Sequence, residues 1–235
     1  FAELIDKLAR RRRVVTFDFL GYGFSDKPAN HAYSLFEQAD VALAVAREWG
    51  LSRVHLLAHD MGTSVACELC ARREWKSLPL ELESLVLMNG SVHIELAHLT
   101  PGQKLLRSRL GPLFARISNR FTFGVQIKQI CARKPTEAEL DAMWELVDRD
   151  GGSARMPALI GYIDERYRFH RRWIGALERL DVPTLVAWGE RDPVAVLAIA
   201  HALAREIPGA ELRTWPKLGH WPQLEAPSRV ANTIE

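Results

Sequence analysis

The amino-acid sequence predicts an α/β fold, with a mostly parallel sheet and helices on both of its faces. Short runs of β-branched and other apolar residues alternate with helical patterns along most of the chain. Hydrophobic residues make up 48% and charged residues 26% of the 235 residues, which is ordinary for a globular protein. One long central stretch lacks strand patterns, which indicates a helical insertion into the α/β core.

Each element of this pattern can be placed on the sequence. Apolar residues at helical spacing indicate helices, and short apolar runs that end at turn residues indicate strands. Strands are predicted at 14–17, 54–58, 85–89, 184–189 and 212–215. Helices are predicted at 1–11, 35–49, 62–73, 196–207 and 228–235. The helices at the two ends look cut, so we expect a fragment or a trimmed chain.

The stretch at 91–175 is predicted to form several helices and no strand. Thr136 and Glu139 match a capping box, in which each side chain accepts a hydrogen bond from the other residue's backbone N–H. We therefore expect residues 1–90 and 176–235 to form the core, and residues 91–175 to form a helical lid, or cap. An insertion of this size above the carboxyl ends of parallel strands typically covers a ligand site.

Composition and charge exclude several function classes. The net charge of +2 is too small to indicate the positively charged surface that a nucleic-acid partner requires. No apolar run reaches the roughly 18 residues that a membrane span needs. The three cysteines cannot form a disulfide framework, so we expect a reducing compartment, the cytoplasm. The sequence does not indicate an oligomeric state.

A buried strand, a tight turn and a helix meet at residues 54–63. The turn carries Asp60, and the small residues Ala58 and Gly62 lie two positions to either side. This is the pattern of a nucleophile elbow, whose usual form is G-x-S-x-G. We therefore predict that Asp60 is a nucleophile. The alternative interpretation is an aspartate that caps the following helix.

Two further polar side chains follow later strands. Asp192 comes after the strand at 184–189, and His220 comes after the strand at 212–215. The chain order of nucleophile, acid and histidine is that of a known hydrolase architecture. Because the carboxyl ends of parallel strands meet at one edge of a sheet, we expect Asp60, Asp192 and His220 to form a catalytic triad. Glu190 is a nearby competitor for the acid.

These motifs resemble those of epoxide hydrolases and haloalkane dehalogenases in the α/β-hydrolase superfamily. The loop at 18–28, Asp-Phe-Leu-Gly-Tyr-Gly-Phe-Ser-Asp-Lys-Pro, is similar to a loop of that family, and the His59–Asp60 pair resembles its aspartate elbow. The resemblance implies an α/β-hydrolase fold with a helical lid. Three stretches are more specifically similar to the mesoderm-specific-transcript-like branch, at 162–163, 171–177 and 222–225.

The resemblance also implies further strands and a His-Gly-containing loop ahead of the helix at 1–11. That loop would supply one N–H group of the oxyanion hole. A third strand would lie between the predicted strands at 14–17 and 54–58. We therefore expect the first strands to be missing from this chain, which would leave backbone groups of the sheet unpaired.

An aspartate nucleophile indicates displacement at a saturated carbon. A carboxylate is already anionic at pH 7, so it can attack carbon and form an alkyl ester without a base. His220, held by Asp192, would then activate water to hydrolyse the ester. The backbone N–H of Met61 would stabilise the oxyanion. We expect a hydrolase that acts on a small apolar molecule with water, and that uses no cofactor and no metal.

Three functions are open at this point. An epoxide hydrolase is favoured, because Tyr162 lies where the resemblance implies a lid tyrosine that donates to the epoxide oxygen. A haloalkane dehalogenase is the first alternative, but the resemblance implies tryptophan after the nucleophile, where this chain has Met61. Many epoxide hydrolases share that tryptophan, so Met61 departs from their pattern too. A non-catalytic, lidded ligand-binding homologue is the second alternative.

Four more residues are expected to contact the substrate, since each lies beside the predicted site or in the lid: His59, Asn89, Trp173 and Trp221. Asn89 could instead hydrogen-bond the acid or a water. His59 and Trp173 could instead be packing residues. The basic run at 166–172 is interpreted as the polar exterior of the lid. Contact of this run with an anionic membrane surface is the alternative.

Overall fold

The computed structural model describes all residues, Phe1–Glu235, and has a parallel sheet of four strands at its centre. The strands lie side by side in the order β1-β2-β3-β4, and each pair of neighbours is parallel. Their bounds are Arg53–His59 for β1, Glu81–Met88 for β2, Thr184–Gly189 for β3 and Glu211–Trp215 for β4.

Helices surround this sheet and fill the interval between β2 and β3. In chain order they are α1 Ala2–Leu8, α2 Leu35–Glu48, α3 Met61–Glu74, α4 Pro101–Leu106, α5 Gly111–Ile117, α6 Arg120–Ile130, α7 Glu137–Asp148, α8 Met156–Leu159, α9 Tyr162–Glu178, α10 Leu197–Glu206, α11 Pro222–Glu225 and α12 Pro227–Ile234. A 3₁₀ helix at Arg149–Arg155 joins α7 to α8.

The two faces of the sheet pack against separate apolar cores. Successive residues of a strand point to opposite faces, and β2 follows this rule. Leu85 and Leu87 belong to the larger core with α3, α9 and α10. Val86 and Met88 belong to the smaller core with α1 and α12. Helices therefore cover both faces, and the predicted α/β class is confirmed.

The strand predicted at 14–17 is absent, so that prediction is wrong. Its backbone makes no ladder hydrogen bonds. An apolar cleft of about 620 Å³ separates this run from β1. Val14 and Phe17 line one side of the cleft, and Val54 and Leu56 line the other. A run of β-branched residues becomes a strand only when a neighbouring strand accepts and donates its backbone hydrogen bonds.

The interval between β2 and β3 contains helices α4–α9 and no strand, as the sequence predicts. The capping box at Thr136 and Glu139 is present at the start of α7 and is confirmed. The division into a core and a lid stays a prediction, and its boundary at residue 175 falls inside α9. No helix has both the length and the apolar character needed to cross a bilayer.

Candidate active site

Asp60 forms a strained elbow between β1 and α3. Its backbone angles are φ +48° and ψ −114°, a conformation that a residue with a Cβ rarely adopts. Three donors hold its carbonyl oxygen: Thr63 Oγ1 at 2.6 Å, the Thr63 N–H at 3.1 Å and Arg166 Nη2 at 3.1 Å. These bonds fix the turn, so that the carboxylate stands at the carboxyl end of the sheet.

The acid and the histidine form a tight, buried pair. His220 Nδ1 donates to Asp192 Oδ2 at 2.7 Å. The other oxygen of Asp192 accepts from the backbone N–H groups of Val194 at 2.8 Å and Ala195 at 3.0 Å. Because both carboxylate oxygens have donors, Asp192 cannot rotate away, and it orients the imidazole so that Nε2 faces the elbow.

Asp60, Asp192 and His220 come together as the strand order predicts. His220 Nε2 lies 3.8 Å from Asp60 Oδ2. Desolvation would raise the pKa of Asp60, but the positive charges of His220 and Arg166 lower it below its usual value. Burial would lower the pKa of His220, but the charges of Asp192 and Asp60 raise it well above its usual value. The resting site therefore holds an ionised Asp60 beside a protonated imidazole.

Asn89 holds the acid loop, which is the alternative to its expected contact with substrate. This fully buried residue follows β2, and its Nδ2 donates to Asp192 Oδ2 at 2.9 Å and to the Gly189 carbonyl at 3.2 Å. Its Oδ1 accepts from the Gly189 N–H at 2.9 Å. Glu190, the competing acid, accepts from Thr214 at 2.7 Å on the β3–β4 side and takes no part in the His220 pair.

Arg166 is a site residue, so its interpretation as part of the polar exterior of the lid is wrong. Its side chain is only 2% exposed. Nε donates to Ser64 Oγ at 2.8 Å, and Nη2 lies 3.7 Å from Asp60 Oδ1. The signal in the sequence was its spacing, since it lies one helical turn after Tyr162, and the guanidinium carbon is 4.5 Å from the centre of that ring.

Two tyrosines, the buried Tyr162 and the partly buried Tyr22, lie close enough to Asp60 for its charge to act on them. Burial and then the Asp60 charge raise the pKa of Tyr162 to about 12. Burial, Tyr162 and Asp60 raise the pKa of Tyr22 above its usual value. Both phenols are therefore protonated at neutral pH. The Tyr162 hydroxyl accepts from Gln103 Nε2 at 3.3 Å, and the Tyr22 hydroxyl donates to Met61 Sδ at 3.5 Å.

Tyr22 was missed as a site residue, although its surroundings carry a signal. It lies between Gly21 and Gly23, whose φ angles of +90° and +51° favour glycine. This turn places the phenol beside the elbow. Tyr167, in contrast, is half-exposed and lies under the guanidinium of Arg107, away from these groups.

His59 supports the histidine loop through both of its ring nitrogens. Nε2 donates to the His220 carbonyl at 2.7 Å, and Nδ1 accepts from Gln223 Nε2 at 3.2 Å. Burial and the nearby charge of His220 lower the pKa of His59 to about 4, so it is neutral. This geometry favours a positioning role over the expected substrate contact. Trp221 packs 6.2 Å from the His220 ring, and its contact with substrate stays a prediction.

Trp173 is part of the core, which is the alternative to its expected contact with substrate. It is fully buried, and its indole N–H donates to Glu68 Oε2 at 3.0 Å. Glu68 also accepts from Arg172 at 2.8 Å and from Arg72 at 3.0 Å. Because the indole hydrogen is already bonded to a carboxylate, Trp173 fastens α9 to α3 and has no donor left for a leaving group.

The fold and the site define the class of the protein. Residues 1–227 match the family model for the alpha/beta hydrolase fold. The chain therefore belongs to the α/β-hydrolase family and is a hydrolase of that type.

Individual relatives agree with this assignment. The LipZ protein of Mycobacterium tuberculosis is 45% identical over 219 residues, which cover 92% of this chain and 76% of LipZ. The mesoderm-specific transcript protein of Mus musculus is 37% identical over 232 residues, which cover 95% of this chain and 69% of that protein. The similarity to the mesoderm-specific-transcript-like branch is thus confirmed. A solved α/β-hydrolase-fold protein from Burkholderia ambifaria matches with a TM-score of 0.78 and 26% identity, covering 97% of this chain and 82% of the other.

Proposed function

We propose that this hydrolase opens a small apolar epoxide through an alkyl ester on Asp60. The observation that carries the proposal is the group of side chains at the elbow: an ionised carboxylate, 3.8 Å from His220 Nε2, with two protonated phenols beside it. The carboxylate supplies a nucleophile, the imidazole supplies a base, and the phenols supply protons for a leaving oxygen.

In the first step, an oxygen of Asp60 attacks one carbon of the epoxide. The bond from that carbon to the ring oxygen breaks, and the ring oxygen takes its electron pair. Tyr162 or Tyr22 then donates a proton to this oxygen, which leaves a hydroxyalkyl ester on Asp60 and a tyrosinate. Arg166 keeps Asp60 ionised for the attack, since its guanidinium lies 3.7 Å from Oδ1.

The ester itself prepares His220 for the second step. An esterified Asp60 carries no charge, so one of the two carboxylates that raise the pKa of His220 is removed. The proton of His220 Nε2 can then pass to the tyrosinate, which regenerates the phenol. This leaves a neutral imidazole that Asp192 still orients at 2.7 Å, ready to act as a base.

In the second step, His220 Nε2 takes a proton from water and the hydroxide adds to the ester carbonyl of Asp60. The N–H of Met61, in the first turn of α3, has no partner within the helix and is available to donate to the oxyanion. Collapse breaks the bond between the carbonyl carbon and the ester oxygen, and His220 returns its proton to the departing alcohol. The products are a diol and the free carboxylate.

A halide leaving group is less well supported. Halide release needs N–H donors, and the indole of Trp173 is committed to Glu68 at 3.0 Å. The residue after the nucleophile is Met61, which offers a thioether in place of an indole. We therefore place dehalogenation, and ligand binding without turnover, among the outcomes of the tests.

A single-turnover experiment in water enriched with the heavy oxygen isotope tests the ester route. Excess protein is mixed with styrene oxide or 1,2-epoxyhexane, and the diol is analysed by mass spectrometry. The ester route places unlabelled oxygen from Asp60 in the first diol formed. Heavy oxygen in that first diol would show direct attack by water and would contradict the proposal, and Asp60→Asn serves as the inactive control.

A further inference from the structure

A cluster of imidazole and carboxylate groups lies apart from the elbow, where the helical interval meets the core. His93 and Glu95 lie in the segment after β2, His170 lies on α9, and Glu206 ends α10. Nδ1 of His93, Nε2 of His170 and a carboxylate oxygen of Glu95 all fall within 4.8 Å of one another. Three separate parts of the chain therefore present ligand atoms to one point.

The spacing of these atoms fits a shared cation. His93 Nδ1 is 2.8 Å from Glu95 Oε1 and 3.2 Å from His170 Nε2, and His170 Nε2 is 3.3 Å from Glu95 Oε2. Two ligands that each lie about 2.0–2.1 Å from a tetrahedral zinc ion are about 3.3 Å apart. The two imidazoles and the carboxylate already have nearly this separation.

A fourth residue fixes which nitrogen of His93 faces the cluster. His93 Nε2 donates to Glu206 Oε2 at 2.6 Å, so a neutral His93 presents the lone pair of Nδ1 to the cluster. Glu95 Oε1 lies 2.8 Å from this nitrogen and is also only an acceptor. Because two acceptors repel each other at this distance, a proton or a metal ion must lie between His93 Nδ1 and Glu95 Oε1. An imidazole that donates to a carboxylate with one nitrogen and faces a cation with the other is a recurring arrangement at metal sites.

We propose that His93, Glu95 and His170 bind a divalent transition-metal ion of the zinc type, with Glu206 orienting His93. The ligand set of two imidazoles and one carboxylate suits Zn²⁺ and leaves a fourth position for water. His93 is buried, while the side chain of Glu95 is 50% exposed, which gives an ion a path from solvent. The ion would join the segment after β2 to α9 and would stabilise the folded chain.

Calorimetric titration tests the site on the whole chain after chelator treatment, with Zn²⁺ alone as the probe. We expect about one equivalent to bind and the melting temperature to rise by a few degrees. His170→Ala and Glu95→Gln should each weaken binding at least about tenfold, and Glu206→Gln should weaken it by roughly 10–100-fold. Both Glu95 and His170 are partly exposed, so these variants test the ligands without opening the core.

His31→Ala is the matched control, because His31 also pairs with a glutamate, at 2.7 Å from Glu37, but lies elsewhere on the chain. It should bind Zn²⁺ as the unaltered chain does. No binding by the unaltered chain, or equal affinity in His170→Ala, would overturn the proposal and leave His93 as a residue that hydrogen-bonds to two carboxylates. The readouts are heat and melting temperature, so the result is independent of whether epoxides are hydrolysed.

Discussion

The guanidinium of Arg166 contacts Asp60 at two points, with Nη2 3.1 Å from the Asp60 carbonyl oxygen and 3.7 Å from its carboxylate oxygen Oδ1. One side chain thus holds both the strained backbone of the elbow and the charge of its carboxylate. Arg166 lies on α9 and bonds to Ser64 on α3, so the helical interval contributes directly to the geometry of the site.

Replacing Arg166 by methionine should shift the acid limb of ester formation to higher pH. After His220, Arg166 is the group that lowers the pKa of Asp60, so its removal raises that pKa and reduces the ionised fraction as the pH falls. We expect the acid limb of kcat/KM to move up by about one pH unit or more. Arg166→Lys should restore part of this shift, and Arg168→Met, on the exposed face of the same helix, should leave the profile unchanged.

Tyr162→Phe and Tyr22→Phe should slow the opening of the epoxide. Each variant removes one protonated phenol from the site, and a positioned general acid contributes roughly 10²–10⁴-fold to a rate. The rate of ester formation, measured by rapid mixing, should fall in each variant and fall further in the double variant. Tyr167→Phe is the control, since Tyr167 is half-exposed and away from Asp60. Unchanged rates in both single variants would remove the phenols from the mechanism.

Asp192→Asn should block the second step more than the first. Asp192 raises the pKa of His220 and orients its ring at 2.7 Å, and the analogous change in a serine hydrolase triad lowers kcat about 10⁴-fold. The ester should therefore form and persist, which gives a burst of one equivalent followed by slow turnover. Equal slowing of both steps would show that Asp192 does not act through His220.

Glu68→Gln should destabilise the fold without touching the chemistry. Burial raises the pKa of Glu68, but its bonds to Arg172, Trp173 and Arg72 outweigh this and lower it below the usual 4.5. A carboxyl whose pKa is lowered by folding stabilises the protein above its usual pKa, and this stabilisation is lost as the pH falls through the folded value. Urea unfolding at neutral pH should show a loss of about 3–5 kcal/mol, which shrinks in acid.

Most of the fold could be predicted because its signals are local. The strand at 184–189 is found where the apolar run predicts it, and Asp192 and His220 meet because each follows a parallel strand. The strand predicted at 14–17 failed because strand formation depends on a neighbour, which a sequence pattern does not display.

The remaining site residues depend on how α9 packs. The sequence alone could not distinguish the buried side chains of this helix from the exposed ones. Arg166 and Arg168 lie two positions apart in the same basic run, yet the first is buried against Asp60 and the second is exposed. Trp173 was expected to face substrate, but its position on α9 aims the indole at Glu68. The rotation of α9 about its axis determines which of these side chains are buried and what they contact. Tertiary contacts set that rotation.

Trapping of the ester on Asp60 tests the central claim most directly. In His220→Ala the base of the second step is missing, so an ester formed in the first step should persist. The folded variant is incubated with 1,2-epoxyhexane and with 1-bromohexane, and its intact mass and peptide masses are recorded. We predict a gain equal to one whole epoxide, mapped to Asp60 and absent when Asp60→Asn is added. A gain of a hexyl group with bromide release would indicate dehalogenation instead, and no adduct on a folded chain would contradict the ester mechanism.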